Sequence, residues 1–157
     1  MAAVQIYYGN GLGKTSAALG NAIKSAGTGD TVYLVQFLKG QLGADIIKRL
    51  EPEIKAFSFE RSNRRFADLS DEEKTEEKKN IINGLNFAKK VLTTGECDLL
   101  VLDEVLGLID EGIITDDDLV SIIKSGMPTQ KVILTGNKLT DKVREAADQV
   151  YQIVPEK

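Results

Sequence analysis

The sequence predicts an α/β protein, a three-layer sandwich with a mostly parallel sheet, and two observations carry that expectation. Apolar strand-like runs alternate with helical patterns along the whole chain. The runs are continuously apolar, as expected of strands covered by helices on both faces. Residues 4–8 read as the first strand and residues 14–26 as the first helix, with Gly27 in the position favoured for closing it. Residues 31–38, rich in Val and aromatics, read as the second strand. A short helix is expected over 44–50 and a brief strand over 54–57, after Pro52. Ser70 opens a long helix, with Glu73 three residues on to complete a capping box. That helix carries Ile81, Leu85, Ala88 and Leu92 at helical spacing. Residues 98–102 form a buried strand that ends in Asp103-Glu104. Thr115, with Asp118 three on, caps a further helix; residues 130–135 read as a strand, 140–147 as a helix and 149–154 as the last strand.

Residues 9–16 read Gly-Asn-Gly-Leu-Gly-Lys-Thr-Ser, between the first strand and the first helix. This is a phosphate-binding loop in the context where such a loop works. Glycines let the backbone wrap closely, so that successive amides point inward at an anion. Lys14 supplies a point charge for the outer phosphates, and the hydroxyl of Thr15 or Ser16 can hold Mg²⁺. The following helix aims the positive end of its dipole at the same anion. The general pattern asks for Gly five positions before Gly13, and Tyr8 stands there.

The length of 157 residues suits one nucleotide-binding domain over residues 1–157, with no repeat and no linker. A net charge of −4 argues against a nucleic-acid surface. No apolar run approaches the roughly 18 residues of a membrane span and no leader is visible, so the expectation is a cytoplasmic protein with no membrane partner. Cys97 is the one cysteine, which excludes a disulfide framework; it reads as a small apolar residue leading into a strand. The chain has no His, which removes the commonest general base and the commonest transition-metal ligand. Its chemistry must therefore run on phosphate-loop groups, carboxylates, Mg²⁺ or a reactive centre brought by the substrate.

Asp103-Glu104, at the end of a buried strand, resembles the second acidic motif of phosphate-loop enzymes. A carboxylate there can hold Mg²⁺ or one of its waters, and which of the two does so stays open. Thr135-Gly136-Asn137 ends a strand on the same sheet edge, either to approach a nucleotide or to turn the chain. The irregular residues 58–69 follow a strand's carboxyl end, where open α/β sheets bind ligands. Arg61, Arg64 and Arg65 there are either anion ligands or ordinary surface residues. Phe59 and Phe66 either anchor that segment or wall an apolar pocket. Asp116, Asp117 and Asp118 suit a first helical turn rather than a metal. Glu72, Glu73, Glu76 and Glu77 read as a solvated helix face.

Taken together, the chain resembles the phosphate-loop ATP:cob(I)alamin (corrinoid) adenosyltransferases. The resemblance rests on residues 6–15, on Ala17-Ala18-Leu19-Gly20, on Val35-Gln36-Phe37-Leu38-Lys39-Gly40, on Leu100-Val101-Leu102-Asp103-Glu104 and on Val132-Ile133-Leu134-Thr135-Gly136. The segment from Gln36 to Gly40 is the most discriminating, and the family tolerates a residue other than Gly at the position of Tyr8. The resemblance implies a fold like that of the P-loop NTPases (RecA-like). It also implies a reaction in which reduced corrinoid cobalt attacks the 5′ carbon of ATP and triphosphate leaves. By matched position, Gly9, Asn10, Gly11, Leu12, Gly13, Lys14, Thr15 and Ser16 are expected at the nucleotide, with Lys39, Gly136 and Asn137. Lys14 and Glu104 are expected to be catalytic, and Thr15, Asp103 and Glu104 to serve Mg²⁺. ATP as co-substrate, a reduced corrinoid, an electron-donating reductase and a possible homodimer complete what it implies.

The family usually has Lys where this chain has Leu12, and Arg where it has Lys24 and Asn137. It also commonly carries terminal segments that this sequence, read from its first strand to Lys157, is expected to lack. Two alternatives follow: an ATP-binding regulatory or carrier protein derived from the family, or a small P-loop kinase or NTPase with Glu104 as its base.

Overall fold

The computed structural model describes residues 1–38 and 43–157, with Ala44 described by its backbone alone. Six strands form one sheet: β1 (Ala3–Tyr8), β2 (Val32–Gln36), β3 (Ile54–Ser58), β4 (Leu99–Asp103), β5 (Lys131–Gly136) and β6 (Gln149–Gln152). Their order is β3-β2-β4-β5-β1-β6, and every pairing is parallel. Parallel neighbours need crossover connections, which here are helices. These are α1 (Lys14–Gly27), α2 (Ala44–Leu50), α3 (Asp71–Thr94), α4 (Leu106–Asp110), α5 (Asp116–Lys124) and α6 (Asp141–Glu145).

Two apolar layers follow from the side-chain alternation along each strand. On one face, Ala18 and Ala22 of α1 pack on Val32, Leu34, Ile54, Leu99, Val101 and Ile133. On the other, Ile81, Leu85, Ala88 and Leu92 of α3 join Leu119 and Ile123 of α5 and Val143 of α6 over Leu100, Leu102, Val132 and Leu134. The expected stripe on α3 is thus its buried face, and all five residues of β4 are buried. Both expected capping boxes form, Ser70 with Glu73 and Thr115 with Asp118.

Three local expectations shift. The first helix runs through Gly27 to Thr28, and the left-handed turn falls at Gly29 (φ +92°). Residues 58–69 contain a single 3₁₀ turn, Phe66–Asp68. Helix α4 gave no sequence signal: its buried Leu106 and Leu108 continue the apolar character of the preceding strand.

The register assembles the site. Gln36 pairs with both Ser58 and Asp103, and Thr135 pairs with Tyr7, at the carboxyl edge of the sheet. Val32 and Leu34 face α1, so Gln36, two residues on, lies on that face beside Asp103.

Candidate active site

The phosphate loop is shaped by two left-handed glycines and by a brace from the end of the chain. Gly9 (φ +125°) and Gly13 (φ +104°) adopt backbone that residues with a Cβ rarely take. A Cβ on Gly9 would stand 2.3 Å from the carbonyl oxygen of Ile153. That carbonyl accepts the Gly11 amide at 3.0 Å, while the Ile153 amide donates to the Tyr8 carbonyl at 2.7 Å. On the other side, the Gly9 amide donates to the carbonyls of Gly136 (3.2 Å) and Asn137 (3.1 Å). Gly136 and Asn137 thus meet the loop through their backbones. A Cβ on Gly136 would lie 2.3 Å from Cβ of Leu106, so only Gly fits there.

Helix α1 begins at Lys14 with no side-chain cap and no acidic residue in its first turn. Its leading amides are therefore left for an external acceptor, at the positive end of the dipole. Lys14 is buried, and its Nζ donates to the Gly11 carbonyl at 3.0 Å, folded over the concave loop. Leu12 projects from the loop tip at 86% exposure, and Asn10 and Ser16 are also exposed.

Thr15, not Ser16, turns inward. Its hydroxyl donates to Asp103 Oδ1 at 2.9 Å. Thr135 donates to the same oxygen at 2.8 Å and accepts the Glu104 amide at 2.8 Å, so one hydroxyl fixes both carboxylate residues. Asp103 is completely buried, and its Oδ2 has no hydrogen-bond partner among the described residues. Burial raises the Asp103 pKa, with the two threonine hydroxyls and Lys14 working the other way. Glu104 is half-buried, and its pKa is raised by burial and by Asp103 beside it, against the pull of Lys14. Its backbone is left-handed (φ +60°), a sparsely populated conformation for Glu that aims the chain sharply into α4.

The segment after β3 is clamped from α3. Glu77 is buried and accepts the amides of Arg61 (3.0 Å) and Ser62 (2.9 Å) together with the Asn80 side chain (2.8 Å). This corrects the expectation of a solvated face at Glu77. The helical period does not register that a loop folds back over this position. Burial works against the charged form of Glu77, but the hydrogen bonds outweigh it and lower the pKa. Phe66 is buried and the ring of Phe59 packs tilted (44°) against Phe87 at 5.5 Å, so both anchor the segment. Arg64 pairs with Glu73 and Arg65 with Asp68, at the surface. A cleft of about 400 Å³ opens between Leu38, Glu60, Arg65, Phe66 and Glu111. Leu38 also packs on Gly107, whose Cβ position lies 3.8 Å from Glu104 Oε2, so the cleft adjoins that carboxylate. Lys39 and Gly40 lie outside the described residues.

Sequence reasoning left Thr135 and Ile153 without site roles, although the Thr135-Gly136-Asn137 run had marked the right sheet edge. Asp116, Asp117 and Asp118 sit in the first turn of α5, as expected. Among the described residues, no group of three or more Cys, Asp or Glu converges as a metal cage, and no helix is long and apolar enough to cross a membrane.

The family model described as ATP:corrinoid adenosyltransferase BtuR/CobO/CobP matches residues 1–157. The corrinoid adenosyltransferase of Escherichia coli K12 is 28% identical over 152 residues, covering 97% of this chain and 76% of the relative. CobA of Salmonella typhimurium, also a corrinoid adenosyltransferase, is 28% identical over 159 residues with the same shares. The Pseudomonas aeruginosa enzyme of that name is 29% identical, covering 94% of this chain and 72% of its own. Among solved structures, EssC (ATPases 2 and 3) from Geobacillus thermodenitrificans superposes with a TM-score of 0.53 at 15% identity, over 98% of this chain and 32% of that one. The likeness to EssC shows a shared fold alone.

Proposed function

Because the chain belongs to the ATP:corrinoid adenosyltransferase family BtuR/CobO/CobP, we propose that it moves the 5′-deoxyadenosyl group of ATP to the reduced cobalt of a corrinoid and releases triphosphate. The observation that carries this reading is the union of an uncapped α1 N-terminus, a buried Lys14 and the Thr15–Asp103 bond at one end of the sheet. An electron pair on the reduced cobalt forms the bond to C5′. The bond from C5′ to the phosphate oxygen breaks, and that oxygen keeps the pair as triphosphate departs. No proton is transferred, so a chain without His can carry the reaction.

The protein's work is then positioning and charge stabilisation. The loop amides and Lys14 hold the triphosphate, where negative charge grows as the bond breaks. Mg²⁺ fits beside them, since hard cations take oxygen ligands and often few from protein. The Thr15 hydroxyl and the unpartnered Asp103 Oδ2 would hold it or its water, with Glu104 next in reach. Bound there, the ion neutralises part of the phosphate charge. Glu104, fixed by its strained backbone and the Thr135 hydroxyl, faces the nucleotide. The corrinoid approaches through the cleft beside Phe66, bounded by the segment that Glu77 clamps. This reading takes residues 1–157 as one cytoplasmic nucleotide-binding domain, supplied with electrons by a separate reductase and able to pair as a homodimer.

The test is anaerobic incubation with ATP, Mg²⁺ and chemically reduced cobalamin. A light-sensitive adenosylated corrinoid is expected from the wild type and none from Lys14→Ala of unchanged fold. ADP and phosphate formed without corrinoid would mark a kinase or NTPase instead. Tight ATP binding with no transfer under any reductant would mark a carrier.

A further inference from the structure

Two buried polar atoms at the carboxyl edge have no partner among the described residues, and they belong to register neighbours. One is Asp103 Oδ2; the other is Gln36 Nε2. Gln36 is the last residue of β2 and only 7% exposed, on the same sheet face as Asp103. A buried amide nitrogen left without an acceptor is unfavourable and rare, and each instance calls for a reason. An apolar side chain of the same size would suit the packing better, since Leu34 and Val32 precede it on this face. The amide nitrogen is donor-only, so what satisfies it must bring an acceptor. It stands beside the carboxylate that holds Thr15, at the end of the sheet where Lys14 and the uncapped N-terminus of α1 also come together.

We propose that Gln36 is a triphosphate-binding residue, its Nε2–H donating to a non-bridging phosphate oxygen of the bound nucleotide and of the triphosphate product. The proposal rests on the phosphate-loop reading above and extends the site to β2. Lys14, Thr15 and the loop grip the anion from the start of α1, Asp103 serves it from the middle of the sheet, and Gln36 closes it on the β2 side. Acceptor and donor are divided between neighbours: Asp103 Oδ2 can accept a hydrogen bond from a water, while Gln36 Nε2 can only donate one, and so needs an acceptor such as an anion.

Inorganic tripolyphosphate with Mg²⁺, titrated by calorimetry into the intact protein, isolates this contact from corrinoid and from turnover. Gln36→Leu removes the donor at similar volume, and Gln36→Glu puts an acceptor in its place. Both are expected to weaken tripolyphosphate binding about tenfold or more, Glu the more strongly. Gln36→Leu should also melt at the same or a higher temperature than wild type without ligand, since it deletes an unsatisfied buried group. A purely structural role for Gln36 would instead lower that melting temperature and leave affinity unchanged. Wild-type affinity in both variants, with binding lost in Lys14→Ala, would overturn the proposal and leave the phosphate-loop reading standing. Wild-type affinity in Lys14→Ala as well would overturn both.

Discussion

Thr15 and Asp103, 88 positions apart in the chain, meet through a 2.9 Å hydrogen bond from the threonine hydroxyl to Oδ1. The bond ties the first turn of α1 to the end of β4, and Thr135 reinforces it from β5 at 2.8 Å. The start of α1 is therefore tied to the sheet by polar contacts to one buried carboxylate, whose other oxygen has no partner among the described residues.

Asp103→Asn separates the two duties of that carboxylate. Its amide oxygen can still accept both threonine hydroxyls, while the buried charge and the free acceptor are lost. The unliganded variant should melt at or above the wild-type temperature. Stabilisation by ATP should cease to depend on Mg²⁺, as read by thermal melting with and without the ion. A strong destabilisation of the unliganded protein would show that the charge is needed for folding.

Gly9→Ala tests the brace. Its Cβ would enter a space 2.3 Å from the Ile153 carbonyl, in a backbone conformation at φ +125° that Ala resists. Overpacking and strain together should cost about 2–4 kcal/mol by urea unfolding. ATP binding should fall sharply even in the folded fraction. Gly20→Ala, on the same chain but with open space around its Cβ position, is the matched control and should be neutral or stabilising.

Glu77 carries a pH prediction. Its folded pKa is lowered, so its contribution to stability is fully present above the ordinary glutamate value, about 4.3, and is lost as pH falls through the lowered folded value. Glu77→Ala, which strands the amides of Arg61 and Ser62, should cost about 1–3 kcal/mol at neutral pH. In acid the gap between variant and wild type should close. Hydrogen exchange should place the loosening in residues 58–69; a uniform effect along the chain would contradict the clamp.

The legible parts of the molecule were those set by local chemistry. The phosphate loop, both capping boxes and the apolar stripe of α3 depend on residues close in sequence, and they stand where the pattern puts them. The acidic pair at the end of β4 was legible because a buried strand has a marked polar exit. What escaped depends on long-range register. Glu77 reads as one more acidic residue on a charged helix until a loop from β3 lies across it. Ile153 reads as a strand residue, and only the parallel pairing of β6 with β1 sets its carbonyl against Gly9 and Gly11. Gln36 sat inside the most telling motif, yet its position beside Asp103 is a property of the sheet order.

The most direct measurement is ³¹P spectroscopy of an anaerobic reaction of the wild-type protein with ATP, Mg²⁺ and reduced cobalamin, alongside quantitation of adenosylated corrinoid. Intact triphosphate and adenosylcobalamin in equal amounts, both absent with Lys14→Ala, are the expected result. ADP and orthophosphate as the phosphorus products, or triphosphate without an alkylated corrinoid, would contradict adenosyl transfer by this chain.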